Sequence, residues 1–314
     1  MRPGCSVFIC GFISVDTFKI VGRSSINDIM NPLQSDMMSS TGKTIRLGRI
    51  LHPERRRAAV VAFDHGLHLG VIPGVLNPGQ VLEDLAQAGA DAFLVAPGIA
   101  RAYASVFSGR GAPGLILRLD WTNRWREPDM LGSEEGRGRM IAGVDDAARL
   151  GADAVLAYMF LGYQEPEAEA RQVEEVARVA RSCENLGIGC IIEPMARGLR
   201  VGDNPYRPEL IALGARVACE LGADVLKTDY SGDAASFRQV VQAAFRPILI
   251  AGGPRTPTLR GALEMVAGAL QAGARGMFIG RNVFQAPNPS RMMGVLRSMI
   301  HEGLDVEAAL STLE

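Results

Sequence analysis

The residues best suited to chemistry stand at the ends of three short apolar runs. Lys227 closes the run in "ELGADVLKTDYSGD" (220–233), Asp64 follows "AAVVAF" (58–63) in "FDHG", and Glu193 closes "GCIIE" (189–193) in "IIEPMARG". A lysine ammonium is costly to bury, because desolvation disfavours its charged form and an apolar strand offers no compensation. Lys227 therefore belongs either on a wet rim or where it reacts. Side chains alternate along a strand, which puts Asp64 on the face of Val60 and Ala62, Glu193 on that of Gly189 and Ile191, and Lys227 on that of Val225. If those faces converge, two carboxylates stand beside one amine. Such a lysine can attack a carbonyl to form a Schiff base whose iminium is an electron sink, while the carboxylates move protons on and off the hydroxyl and carbinolamine. The plainer alternative is a buried ion pair that neutralises Lys227. Three ionisable groups from three strands are expensive to gather unless they work, which favours the reactive reading.

The elements that must position these residues follow from the spacing of the apolar runs. Eight occur, at 58–63, 91–96, 114–119, 153–158, 189–193, 224–227, 247–252 and 276–280. They are continuous rather than alternating, as in strands of a parallel sheet covered on both faces. Amphipathic stretches such as "PEAEARQVEEVARVARSCENLG" and "RPELIALGARVACELG" lie between most of them and are long enough for crossover helices. Gly-Ala-Asp recurs at 89–91, 151–153 and 222–224, and Gly-Ala-Arg at 273–275, before the second, fourth, sixth and eighth runs. The repeating unit is thus two βα pairs, with glycine suited to end each helix. This predicts a single α/β domain, a (β/α)8 TIM barrel over 43–314. An open doubly wound sheet is disfavoured because no G-x-G-x-x-G follows the first strand. Residues 1–42 read as an N-terminal extension, either poorly ordered, an over-long start ahead of Met38, or an arm packed on a neighbouring subunit.

A barrel gathers its chemistry at the carboxyl ends of its strands. Strands seven and eight end in "IAGGPRT" and "IGRN", so Gly252, Gly253 and Gly280 are expected to bind phosphate through backbone N–H groups and a helix N-terminus, with Arg281 as a fixed cation. Each glycine alone could be a mere turn residue; two such turns on adjacent final strands favour the phosphate. In "HGLH", His65 is expected to bind substrate hydroxyls or prop the Asp64 loop. With only His52, His68 and His301 besides, a histidine-rich zinc site is not expected, nor any other cofactor. The tryptophans of "RLDWTNRW" (118–125) are read as loop packing.

The 33 basic and 34 acidic residues nearly cancel, which excludes the global field of a nucleic-acid or membrane-surface binder and leaves a small-molecule partner. No apolar run approaches the ~20 residues of a membrane span. Five scattered cysteines without CxxC spacing suit reduced thiols in a cytoplasmic protein.

Taken together, "AFDHG", "ELGADVLKTDYSGD", "ILIAGGPRT" and "IGRNVFQAPNP" resemble the archaeal-type class I aldolases, the DeoC/LacD-like group, from about residue 43 to about 303. That group includes archaeal fructose-bisphosphate aldolase, aminodideoxyheptulosonate synthase and the lsr autoinducer thiolase. The resemblance implies a Schiff-base Lys227, an acid/base Asp64, phosphate contacts from Gly252, Gly253, Gly280 and Arg281, a phosphorylated sugar or keto substrate, and homo-oligomers, often decamers. The departure is on strand five. Family members that cleave fructose bisphosphate carry Tyr-Pro-Arg-Gly there, with the tyrosine as proton donor; this chain has Met195 in its place, and a thioether cannot transfer protons. Glu193 is expected to take over, with Tyr158, Tyr163 and Tyr230 as alternatives. A transaldolase- or thiolase-type transferase using the same lysine is the second reading, and a non-catalytic sugar-phosphate-binding barrel the third.

Overall fold

The computed structural model describes residues 41–313. Of the extension expected over 1–42, only Thr41 and Gly42 fall among them, as the first residues of helix α1 (Thr41–Leu47); the rest lies outside the described residues. Eight parallel strands close a barrel: β1 Ala58–Ala62, β2 Ala92–Val95, β3 Gly114–Arg118, β4 Ala154–Leu161, β5 Gly189–Ala196, β6 Val225–Thr228, β7 Ile248–Ala251 and β8 Gly276–Ile279. Each pairs with its neighbours in sequence, and β8 closes onto β1 with Ala58 opposite Gly276 and Val61 opposite Ile279.

Alternation explains why the runs are continuous. One buried side chain from every strand fills the barrel: Val60, Leu94, Ile116, Leu156, Ile191, Val225, Leu249 and Phe278. An adjacent residue in each strand packs outward against the helices: Ala59, Phe93, Leu117, Val155, Ile192, Leu226, Ile250 and Met277, all in one buried layer. Burying a large aliphatic or aromatic side chain contributes about 1.5–3 kcal/mol, so both faces must be apolar for the sheet to hold. Leu47, Ile50 and Leu51 plug the foot of the barrel beneath this inner layer.

The helices after α1 are α2 His65–Leu69, α3 Pro78–Gln87, α4 Pro97–Ala102, α5 Val144–Arg149, α6 Pro166–Leu186, α7 Pro208–Glu220, α8 Ala234–Ala243, α9 Leu259–Ala272, α10 Arg281–Phe284, α11 Pro289–His301 and α12 Val306–Leu313. None of them is long and apolar enough to cross a membrane. The β3–β4 connection departs from the simple alternation: it carries a two-stranded antiparallel ribbon, Asp120–Trp121 against Arg139–Met140, and only the short α5.

The Gly-Ala-Asp repeat has a physical cause. Gly89, Gly151, Gly222 and Gly273 all have positive φ, between 75° and 110°, and end helices there. The aspartates then reach back to the preceding odd strand: Asp91 accepts the Ala59 N–H at 2.6 Å, Asp153 that of Leu115 at 2.9 Å, and Asp224 that of Cys190 at 2.8 Å. Each copy ties the foot of an even strand to its odd neighbour, which gives the period of two βα units.

Two strands outrun their apolar runs. β4 and β5 are eight residues each and pair from Ala154 opposite Gly189 to Leu161 opposite Ala196. They raise Tyr158, Glu193 and Met195 along the barrel wall towards its mouth.

Candidate active site

A cavity of about 290 Å³ opens at the carboxyl ends of the strands, and all eight residues singled out from the sequence line it. Asp64 and His65 come from the turn after β1, Glu193 from β5, Lys227 from β6, Gly252 and Gly253 from the end of β7, and Gly280 and Arg281 from the end of β8. Lys227 is 6 % exposed, so the wet-rim alternative falls. Its Nζ lies 2.9 Å from Glu193 Oε1 and 5.7 Å from the centre of the Phe278 ring beneath it.

The organising cation is a residue the sequence reading passed over. Arg118, at the end of β3, has no exposed surface. Its Nε and Nη2 straddle one oxygen of Asp64, each at 2.8 Å, Nη2 also donates to Glu193 Oε2 at 2.9 Å, and Nη1 donates to Asp120 Oδ1 at 3.2 Å. The guanidinium lies 3.9 Å from the centre of the Tyr158 ring. Burial pushes the Asp64 carboxyl up, but the Arg118 guanidinium and the Lys227 ammonium outweigh it and hold that carboxyl well below its ordinary range. Asp120 is different: burial dominates over Arg118 and over the Tyr158 N–H it accepts at 2.7 Å, and pushes its pKa up to about 6. A signal for Arg118 was present. Counting by twos from Ile116 turns it into the barrel, where an unpaired guanidinium is untenable and must meet carboxylates.

His65 is held in place by the close approach of β8 to the turn after β1. A Cβ on Gly280 would come within 2.4 Å of both Ala62 O and His65 Cε1, and the imidazole meets Phe284 edge-on at 5.4 Å. Its Nδ1 is 3.8 Å from Asp64 Oδ1, too long for a hydrogen bond, and has no other partner among the described residues. Burial pulls the His65 pKa down to about 4 against the pull of Asp64, so the ring is neutral at pH 7. His68, also buried and lining the cavity, is drawn to about 4 by burial and the nearby Arg118, and its Nε2 has no partner among the described residues.

The ends of the final strands line the cavity, with one departure from the expectation. Gly252 spends its N–H on Phe278 O at 3.1 Å, so it contributes space rather than a donor. Arg281 Nη2 donates to Gly253 O at 2.9 Å, while its buried Nε has no partner among the described residues. The helix that Arg281 opens is only four residues long, so its dipole adds little to the guanidinium charge.

The structure separates the alternatives for the proton donor that Met195 displaces. Tyr158 lines the cavity beside Glu193 and Met195. Tyr163 does not: its hydroxyl lies 3.4 Å from Gln172 Oε1, against α6. Tyr230 packs on Phe237 at 5.1 Å, outside the barrel. Trp125, read as loop packing, instead lines the cavity and donates its indole N–H to the Tyr158 hydroxyl at 3.0 Å, because the long β3–β4 connection folds back over the mouth. Trp121 has the packing role, with Arg126 over its ring at 5.5 Å. Arg197 pairs with Asp229 at 2.7 Å, its guanidinium 5.1 Å from the Tyr206 ring.

The chain is similar to known proteins over most of its length. The chain is 38% identical over 273 residues to an uncharacterized aldolase of Saccharolobus solfataricus, covering 87% of this chain and 99% of that protein. It is 35% identical to the 2-amino-3,7-dideoxy-D-threo-hept-6-ulosonate synthase of Halobacterium salinarum, covering 87% and 97%. Among solved structures, an archaeal fructose-1,6-bisphosphate aldolase with its catalytic lysine covalently bound to the carbinolamine intermediate superposes with a TM-score of 0.71 at 31% identity, covering 82% of this chain and 99% of that one. Residues 58–286 match the DeoC/LacD family aldolases, and the chain is an aldolase-type enzyme belonging to that family.

Proposed function

We propose that this protein is a Schiff-base aldolase that makes or breaks a carbon–carbon bond in a phosphorylated ketose or keto sugar, with Lys227 as the covalent residue. The observation that carries the reading is Lys227 Nζ, buried and 2.9 Å from Glu193 Oε1, in a cavity that also holds Arg281. Formation of the iminium transfers two of the three ammonium protons to the substrate's carbonyl oxygen, which leaves as water. Glu193, in hydrogen-bonding reach of Nζ, relays them. In the cleavage direction Glu193 then takes the proton of the hydroxyl next to the breaking bond; the bond's electron pair passes to the iminium, giving an enamine and a free aldehyde. Asp64, held ionised by Arg118, accepts a hydrogen bond from a substrate hydroxyl, and Arg281 anchors the phosphate.

A transferase reading, in which the enamine is passed to a second carbonyl rather than protonated, is favoured by one departure. By the resemblance, Met195 stands at the position of the tyrosine of bisphosphate-cleaving family members, and the 35% identical Halobacterium protein is named a synthase. Both readings require the same covalent step. Borohydride in the presence of dihydroxyacetone phosphate should inactivate the protein, and borohydride alone should not. Full activity after reduction with every phosphorylated ketone tried contradicts the Schiff base.

A further inference from the structure

Resting on the Schiff-base reading, we infer that the aldehyde partner in the carbon–carbon bond step is uncharged and carries an apolar or aromatic substituent, so that the complete substrate bears one phosphate, at the Arg281 end. Two independent observations lead there, the first being the charge balance of the cavity wall. Of its cations, Lys227 is paired with Glu193 and Arg197 with Asp229. Only Arg281 has no carboxylate partner among the described residues, and its Nε is buried without a hydrogen bond. One guanidinium suits one phosphate. A second dianion in the same cavity would be desolvated against pairs already neutralised.

The second observation is what faces Arg281 across the barrel. β7 and β8 lie opposite β3 and β4 in the closed strand order; Trp125 from the β3–β4 connection and Tyr158 on β4 stand on that side, Met195 comes from the adjoining β5, and the neutral His68, from α2 after β1, reaches within 5.6 Å of the Tyr158 ring. Beside Tyr206 and the paired Glu193 and Arg197, which line the cavity next to them, these four present mainly apolar surface with two uncommitted polar atoms. The Tyr158 hydroxyl accepts from Trp125, which leaves its own proton available, and His68 Nε2 is buried without a partner. In the synthetic direction the enamine carbon bonds to the aldehyde carbon while the aldehyde oxygen takes a proton from Glu193. Tyr158 donates a hydrogen bond to that oxygen. Burial keeps the phenol protonated, its pKa well above the ordinary value, as a donor requires. Arg124 and Arg126 line a neighbouring depression beyond Arg197 and are not part of the cavity wall.

The test loads the enzyme with dihydroxyacetone phosphate and compares 3-phenylpropanal, glyceraldehyde and glyceraldehyde 3-phosphate as partners. The expected result is a kcat/KM for 3-phenylpropanal about 10- to 100-fold above that for glyceraldehyde 3-phosphate. Tyr158→Phe should lower kcat with every aldehyde yet leave borohydride trapping of the donor unchanged, which a merely structural role for Tyr158 would not separate. A wild-type preference for glyceraldehyde 3-phosphate, with the donor adduct intact, overturns this inference alone. Absence of any donor adduct overturns the Schiff-base reading and this inference with it.

Discussion

Arg118 determines which oxygen of Glu193 meets the lysine: its Nη2 donates to Oε2 at 2.9 Å, leaving Oε1 2.9 Å from Lys227 Nζ. The same guanidinium grips Asp64, so one fully buried side chain fixes both carboxylates of the site. Removing one partner of a buried ion pair leaves uncompensated charge and costs about 3–5 kcal/mol. Arg118→Leu should lose stability of that order, read from denaturant unfolding. Arg118→Lys keeps the charge without the fork and should retain more stability than activity. Equal stability of Arg118→Leu and wild type contradicts the assignment.

Glu193→Gln keeps the shape but cannot carry protons. General acid and base groups contribute about 10²- to 10⁴-fold, so turnover should fall by that factor. Phosphate affinity should hold, because Arg281 opens α10 after β8, away from β5. The variant also loses its ion pairs to Lys227 and Arg118 and should melt lower. Near-normal turnover in a less stable protein would reduce Glu193 to a structural partner.

Stability should fall on mild acidification. Burial pulls His65 and His68 to about 4, below the ordinary 6.5, so both bind protons more readily when unfolded, and their contribution is lost as pH falls from 6.5 towards 4. Asp120, pushed up to about 6, acts in the opposite sense, since its folded carboxyl holds the proton more tightly than the ordinary value of 3.8. Asp153 and Asp229, both raised by burial, act in the same sense as Asp120, and the two histidines are expected to outweigh the three. The urea midpoint should therefore drop between pH 6.5 and 4.5, less so in His68→Gln and more so in Asp120→Asn. A midpoint that is flat over this range contradicts the neutral buried histidines.

Gly280→Ala tests the approach of β8 to the turn after β1. The added Cβ meets Ala62 O and the His65 ring at 2.4 Å, and backbone cannot yield cheaply. Overpacking of this kind costs about 1–3 kcal/mol. Because the displaced turn carries Asp64 and His65, KM and kcat should both deteriorate. Unchanged kinetics would show that the turn relaxes without consequence.

How much of this was legible in the chain depends on distance along it. The eight strands, their order and the inward face of Asp64, Glu193 and Lys227 follow from local alternation, which the barrel obeys in every strand. The lengths of β4 and β5 did not, because Pro194 interrupts the apolar pattern where the pairing with β4 nevertheless continues to Ala196. Arg118 was recoverable by the same counting that found Lys227. Trp125 was not: its bond to Tyr158 spans 33 residues and depends on how a long connection with little regular structure folds over the mouth. The role of Gly252 was misjudged for a similar reason, since only strand pairing reveals that its N–H is spent on Phe278.

The most direct measurement is the position of the covalent adduct. Protein reduced with borohydride in the presence of dihydroxyacetone phosphate is digested and its peptides weighed, with Lys227→Met treated in parallel. The expected result is added mass confined to the peptide containing Lys227 and none in the variant. An adduct on another lysine, or one that persists in Lys227→Met, contradicts the account at its centre.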